Sequence, residues 1–340
     1  MKWNRKFIGP VIVSGLFLFG FSGCKKNPYQ VDISSLDLEV KIKRFEVDLF
    51  SLEYDSIENK IPWFYHKYGE FFDLYNYRII NIGDANQKTY PEYLKIFLTD
   101  YLNNEVYQKT MEIYPDLTDL ERELTLAFRH YKYHFTEKEV PEIITYVSRF
   151  NQSVVTAEGI IGIGLDKYLG TNTDYYIQLG LNQYTIRNMH KGKIPSDCLM
   201  AWGLSEFEFN DSVNNLLSNM IYNGQIMFFV KSMLPDQPDS LIMGFTSPQM
   251  QFCIMNEDRM WEYLIEKKLL FETDRMTINK FTGYGPFTRD FTRESPARAA
   301  IWIGWRIVEA YAENNPDKSL ADIMQEKNYQ QILTLAKYNP

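Results

Sequence analysis

The side chains able to do chemistry in this chain are few, and most stand at spacings that do not suit catalysis. Among four histidines, His130 and His134 lie at i and i+4, the separation that puts two imidazoles on one helix face in zinc peptidases. Such a site also needs a glutamate base next to the first histidine. Here His66, His130, His134 and His190 are followed by Lys67, Tyr131, Phe135 and Lys191. His130 and His134 are kept only as the pair a metal would use, and no cofactor is expected. A Gly-x-Ser-x-Gly elbow is missing, and Cys198 and Cys253 have no neighbours that would lower a thiol pKa. These two cysteines read better as small buried apolar side chains than as a disulfide. Gly162-x-Gly164 lacks the third glycine of a dinucleotide fingerprint and reads as a bulge or a close backbone approach. Acid pairs such as Glu206 with Glu208 or Asp236 with Asp239 would suit a glycosidase, but 44 acidic residues supply such pairs by chance. Asp166 and Tyr168, polar residues beside Gly170 at the end of an expected strand, read as an accessible groove.

These residues need elements to position them. Leu38, Val40, Ile42, Phe45 and Val47 recur nearly at twos, which predicts a strand within 36–49. From about Asp55 to His134 the pattern is helical; Thr118-x-x-Glu121 reads as a capping box, and Leu117, Leu120, Leu124, Phe128 and Tyr131 follow at threes and fours. The apolar stretches 143–147, 154–155 and 160–165 read as a small antiparallel sheet or hairpin. Helices then return: one or two between Leu204 and Met233 closed by Pro235, one opened by Ser295 as N-cap with Pro296 at its first position, and a short pair over 320–337. Trp302, Trp305 and Ile301 on that late helix read as core. The fold class is therefore α+β, predominantly helical around one small sheet, and no linker divides residues 36–340.

Composition restricts partners. The 340 residues are 45% apolar and 16% aromatic, ample for a core, and 36 basic against 44 acidic residues give a net charge of −8. No basic face suited to nucleic acid interrupts that balance. Lys2, Arg5 and Lys6 precede an apolar run from Phe7 to Phe21 and then Ser22-Gly23-Cys24, the order of a bacterial lipoprotein leader. At about 1.5 Å per residue the run reaches only ~22 Å, short of a ~30 Å hydrocarbon core. Residues 1–23 are thus expected to be a cleaved signal peptide, Cys24 the acylated (palmitate-bearing) anchor, and 24–35 a tether. Loss of the leader's three basic residues makes the mature chain still more acidic. No acidic cluster follows Cys24 as a surface-export signal would require, so a lipid-anchored, periplasm-facing envelope protein is expected, with the choice of membrane open.

Several phrases then occur in order: Leu165-Asp166-x-Tyr168-Leu169-Gly170, Asn215-Leu216-Leu217-x-x-Met220-Ile221-Tyr222-x-Gly224, Asn256-Glu257-x-x-x-Trp261, and Ser295-Pro296-x-Arg298 with Trp302-Ile303-Gly304-Trp305. With Ala127-Phe128-Arg129 and Tyr131-Lys132-Tyr133, this set resembles the gliding motility lipoprotein family GldB of the Bacteroidetes. That family is distantly similar to predicted zinc-dependent peptidases, so the resemblance implies a zincin-like scaffold without the HExxH ligands. Relatives tend to carry Glu-Gly-Lys where this chain has Asn223-Gly224-Gln225, so a neutral Asn223 replaces the acid. The resemblance implies a non-catalytic, partner-binding component of the gliding machinery or the secretion apparatus associated with it. Asp166, Tyr168, Asn223, Glu257 and Arg298 are the candidate groove residues, with Arg298 expected to pair with an acid such as Glu257. Two alternatives stay open: a metallopeptidase-like enzyme with an atypical site on His130 and His134, and a glycan-binding lipoprotein.

Overall fold

The computed structural model describes residues 27–340; the leader and Cys24 lie outside the described residues. Four strands form one sheet in the order β1 (Ile42–Arg44), β2 (Glu142–Tyr146), β4 (Ile160–Gly164), β3 (Val154–Ala157). The α+β class stands, but the sheet is mixed rather than antiparallel. β1 with β2 and β2 with β4 run parallel, and only the β3–β4 hairpin is antiparallel. The physical reason lies in the strands themselves. Ile143 and Ile144, like Ile160 and Ile161, leave no polar face, the pattern of strands covered on both sides.

The two faces carry different cores. Ile143, Ile161 and Ile163 face a large helical layer built from the Thr118–His134, Ile194–Glu206, Leu216–Met233, Ala299–Asn314 and Tyr329–Ala336 helices. Ile144, Tyr146 and Ile160 face a smaller aromatic layer containing Phe45, Phe64, Phe71, Phe72 and Tyr75. The two glycines mark close approaches: a Cβ on Gly162 would press into Val155 and the Phe71 ring, and one on Gly164 would fall onto the Gln152 carbonyl, the expected close backbone approach. Trp302, Trp305 and Ile301 are buried in the first core, as their pattern predicts.

Three local expectations are corrected. Only Ile42–Arg44 of the 36–49 stretch is a strand, and Phe45–Phe50 is a short helix that drops Phe45 and Leu49 into the aromatic core. The Thr118 capping box does not form. Leu117 is the N-cap, Asp116 Oδ1 accepts from Thr118 N–H, and Glu121 instead accepts from Ile42 N–H at 2.9 Å, holding β1. Ser295 does not cap a helix either. Its buried hydroxyl donates to the Thr292 carbonyl at 2.7 Å, and the helix starts four residues later at Ala299. Cys198 and Cys253 are both buried and free.

Candidate functional site

The parallel strands point their carboxyl ends at one region, the place where open sheets containing parallel strands present ligand sites. After β4 the chain turns through Leu165–Tyr168, and Ser153 and Val154 at the start of β3 lie beside it in a cleft of about 350 Å³. The other walls come from one side of the Ile194–Glu206 helix, between Asp197 and Leu204, from the 184–193 segment, from Met243-Gly244 and from the start of the Ala299–Asn314 helix. A larger open depression of about 1010 Å³ surrounds Gly170; its charged residues all keep contact with solvent, although the Arg187 Nε is buried. The smaller cleft collects two buried cations, Lys193 and Arg298.

Lys193 is the N-cap of the Ile194–Glu206 helix, and Pro195 at its start fixes that entry. Its ammonium is buried and donates to Ser196 Oγ and the Ile242 carbonyl, each at 3.0 Å, while pairing with Asp197 at 3.0 Å. Asp197 also accepts from the Tyr168 hydroxyl at 2.9 Å. Burial, reinforced by the Asp197 charge, pushes the Tyr168 phenol well above its ordinary range, so it is a hydrogen-bond donor. Lys167, with its ammonium bonded to the Phe150 carbonyl, stands on the same wall.

Arg298 faces this trio. Thr288 donates to the Pro296 carbonyl through both its N–H (3.1 Å) and its hydroxyl (2.8 Å), and Ser295 bonds back to the same turn. Arg298 follows in the left-handed region, φ 62°, as N-cap of the Ala299–Asn314 helix. Its guanidinium lies against the Tyr284 ring, 4.6 Å from the centroid, and gives one long 3.5 Å bond to the Met243 carbonyl. The Ser-Pro-x-Arg phrase is thus a clamp that presents Arg298, not a helix start.

Of the five residues singled out from sequence, the cleft brings together Tyr168 and Arg298. Asp166 is fully buried behind it, contrary to the expected accessible groove. Its Oδ2 accepts from Phe150 N–H at 2.5 Å and Ser148 N–H at 3.1 Å, bracing a turn in which Arg149 and Phe150 both have positive φ. Asn223 donates along its own helix to the Asn219 carbonyl. Glu257 pairs with Arg306 and accepts from the Tyr338 hydroxyl at 2.7 Å, so the expected Arg298 to Glu257 pair is not made. Gln225, next to Asn223, is buried and donates to the Ile323 and Glu326 carbonyls. Lys193, Asp197 and Tyr284 escaped the sequence reading because a Lys and an Asp at i and i+4 look like any solvated helix pair.

His130 and His134 share a helix face, and desolvation lowers both imidazoles, His134 to about 4, which favours their neutral form. Among the described residues no three His, Cys, Asp or Glu side chains gather as a metal site would require.

Burial pushes the Asp166 carboxyl up to about 6 against the pull of the two backbone N–H groups. The folded chain therefore holds this proton more tightly than the unfolded chain does. The resulting stability is full below the unfolded value near 3.8 and is lost as pH rises through about 6. Asp166→Asn is expected to remove that slope, at most about 3 kcal/mol across the window. Denaturant unfolding at pH 4, 5, 6 and 7 checks it, and an unchanged slope in the variant would contradict it.

The chain matches the family model described as gliding motility protein GldB over residues 26–340. It belongs to the GldB family. No curated protein and no solved structure matches it. Membership in GldB carries the gliding motility assignment and the lipoprotein character. Among the described residues no helix is long and apolar enough to cross a membrane. The ordered phrases that resemble GldB sit at load points of this fold: Leu165–Gly170 after β4, the Leu216–Met233 helix against the Trp302–Trp305 segment, and the Ser295 clamp.

Proposed function

We propose that this GldB protein is a non-catalytic, lipid-anchored component of the gliding apparatus or its associated secretion machinery, facing the periplasm, and that it holds a partner envelope protein in the Arg298 cleft. The observation that carries this reading is the fixed constellation in which Lys193, Asp197 and Tyr168 hold one another beside a buried Arg298. Groups locked in this way are preorganised for binding, which reduces the ordering cost of association.

The start of the described chain supports a close membrane approach. Asn27 Nδ2 donates to the Pro235 carbonyl at 2.9 Å, and the Tyr29 ring packs edge-on against Phe228 while its hydroxyl bonds to Glu309. Cys24 precedes Asn27 by three residues, a reach of roughly 10 Å when extended. An acylated Cys24 then holds the domain against the bilayer by the Pro235 face rather than on a long leash.

The test is mild crosslinking in native envelopes followed by purification and mass spectrometry. Motility or secretion components are expected to accompany the wild-type protein and to be lost with Cys24→Ser, which cannot be acylated. Equal recovery with both forms, or enrichment of no such component, contradicts the proposal.

A further inference from the structure

Two basic side chains are buried among the described residues, Lys193 and Arg298, at 5% and 7% exposure. Lys193 has its carboxylate in Asp197. Arg298 has none: its single protein hydrogen bond is the long one to Met243, and its remaining N–H groups have no acceptor among the described residues. A buried charge is costly unless it is paired. An arginine fork aimed into a cavity is also the side chain best shaped to grip a carboxylate or phosphate with two parallel bonds. The uncapped first turn of the Ala299–Asn314 helix adds its positive end at the same residue.

The surroundings choose between anions. Lys193 is held by Asp197 and Lys167 by the Phe150 carbonyl, so Arg298 offers the one basic group in the cleft not already engaged, and its planar fork matches a single planar carboxylate. Met200, Leu204 and Met243 give the cleft an apolar wall, Thr185 and Asn188 add neutral polar groups, and Tyr284 stands at the mouth, 74% exposed. The volume of about 350 Å³ is at the small end of ligand sites. We infer that the cleft takes a single carboxylate carried on an apolar body, gripped by Arg298. The free C-terminus of an extended partner chain and a small apolar acid both present this chemistry. The inference rests on the cleft being the binding site proposed above.

The test uses the mature acylated protein in detergent and calorimetric titration with four probes: N-acetylated tripeptides ending in leucine or phenylalanine with a free C-terminus, the same peptides amidated, 3-phenylpropionate, and inorganic phosphate. The free-acid peptides are expected to bind, with amidation or Arg298→Gln weakening them by at least about tenfold. Binding of the peptides well above 3-phenylpropionate assigns the carboxylate to a chain end; comparable binding of both assigns it to a small acid. Met200→Trp, which fills the cleft without touching a charge, and Tyr284→Ala, which removes an exposed ring, are expected to weaken binding in a folded protein even where Arg298→Gln fails to fold. Equal affinity for acid and amide, preference for phosphate, or wild-type affinity in Arg298→Gln or Met200→Trp overturns the inference. If none of the carboxylates binds while a motility partner still crosslinks through the cleft, this inference alone fails. If the acids bind and no partner is found there, the partner reading alone fails.

Discussion

Gly304→Ala is expected to destabilise the domain by about 3 kcal/mol, the upper end for overpacking, and to lower its melting temperature by roughly 4–6 °C. The Leu216–Met233 and Ala299–Asn314 helices cross at Gly224 and Gly304. A Cβ on Gly304 would fall onto the Met220 carbonyl, and one on Gly224 onto the backbone of Gly304 itself. Both obstacles are helical backbone, so no side chain can swing away and the helices must separate. The separation would also displace Arg298, which caps the second of them. Gly192→Ala is the control. Its Cβ would meet only the His190 ring at 3.4 Å, an ordinary contact. Thermal unfolding followed by circular dichroism should therefore show a large loss for Gly304→Ala and little change for Gly192→Ala. Equal melting temperatures in the two variants would contradict the crossing.

Asp197→Ala is expected to cost about 3 kcal/mol, because it strands a buried ammonium and also takes away the acceptor of the Tyr168 hydroxyl. Asp197 retains some access to water, with 21% of its side chain exposed, which holds the loss to the lower end for a broken buried pair. The sign of the coupling is the sharper expectation. Removing the charge as well, in Lys193→Met with Asp197→Ala, should recover part of the loss, since the uncompensated cation is then gone. Denaturant titration of the two single variants and the double variant closes this cycle. A double variant less stable than Asp197→Ala would show that Lys193 is worth more to the fold than its pairing explains.

Much of the scaffold was legible in the residue pattern. The threes and fours after Leu117 mark the Thr118–His134 helix, and the Trp302-Ile303-Gly304-Trp305 phrase marks a helix buried on more than one side. The parallel strands were harder to read. Ile143-Ile144 and Ile160-Ile161 signal burial on both faces, but periodicity alone does not say which strands run side by side. Terminal signals misled where tertiary contacts outbid local ones: Glu121 serves β1 rather than a cap, and Ser295 serves the Thr288 to Pro296 clamp. Of the residues named from sequence, Arg298 and Tyr168 line the cleft, while Asp166, expected to be accessible, is fully buried. A carboxylate beside glycines reads as exposed. This one is buried because two consecutive residues with positive φ, Arg149 and Phe150, need an acceptor for their turn. Lys193 and Asp197 could not be distinguished from a solvated pair, because only the packing of Ile242 and Tyr168 around them removes the water.

Envelope crosslinking repeated with Met200→Trp asks whether the partner sits in the cleft itself. This substitution fills the cleft but leaves the acyl anchor and the outer surface of the domain as they are. The variant is expected to reach the membrane in wild-type amount yet to lose the motility or secretion components that the wild type brings down. Recovery of the same components with the filled cleft would place the partner elsewhere on the protein and contradict the proposal.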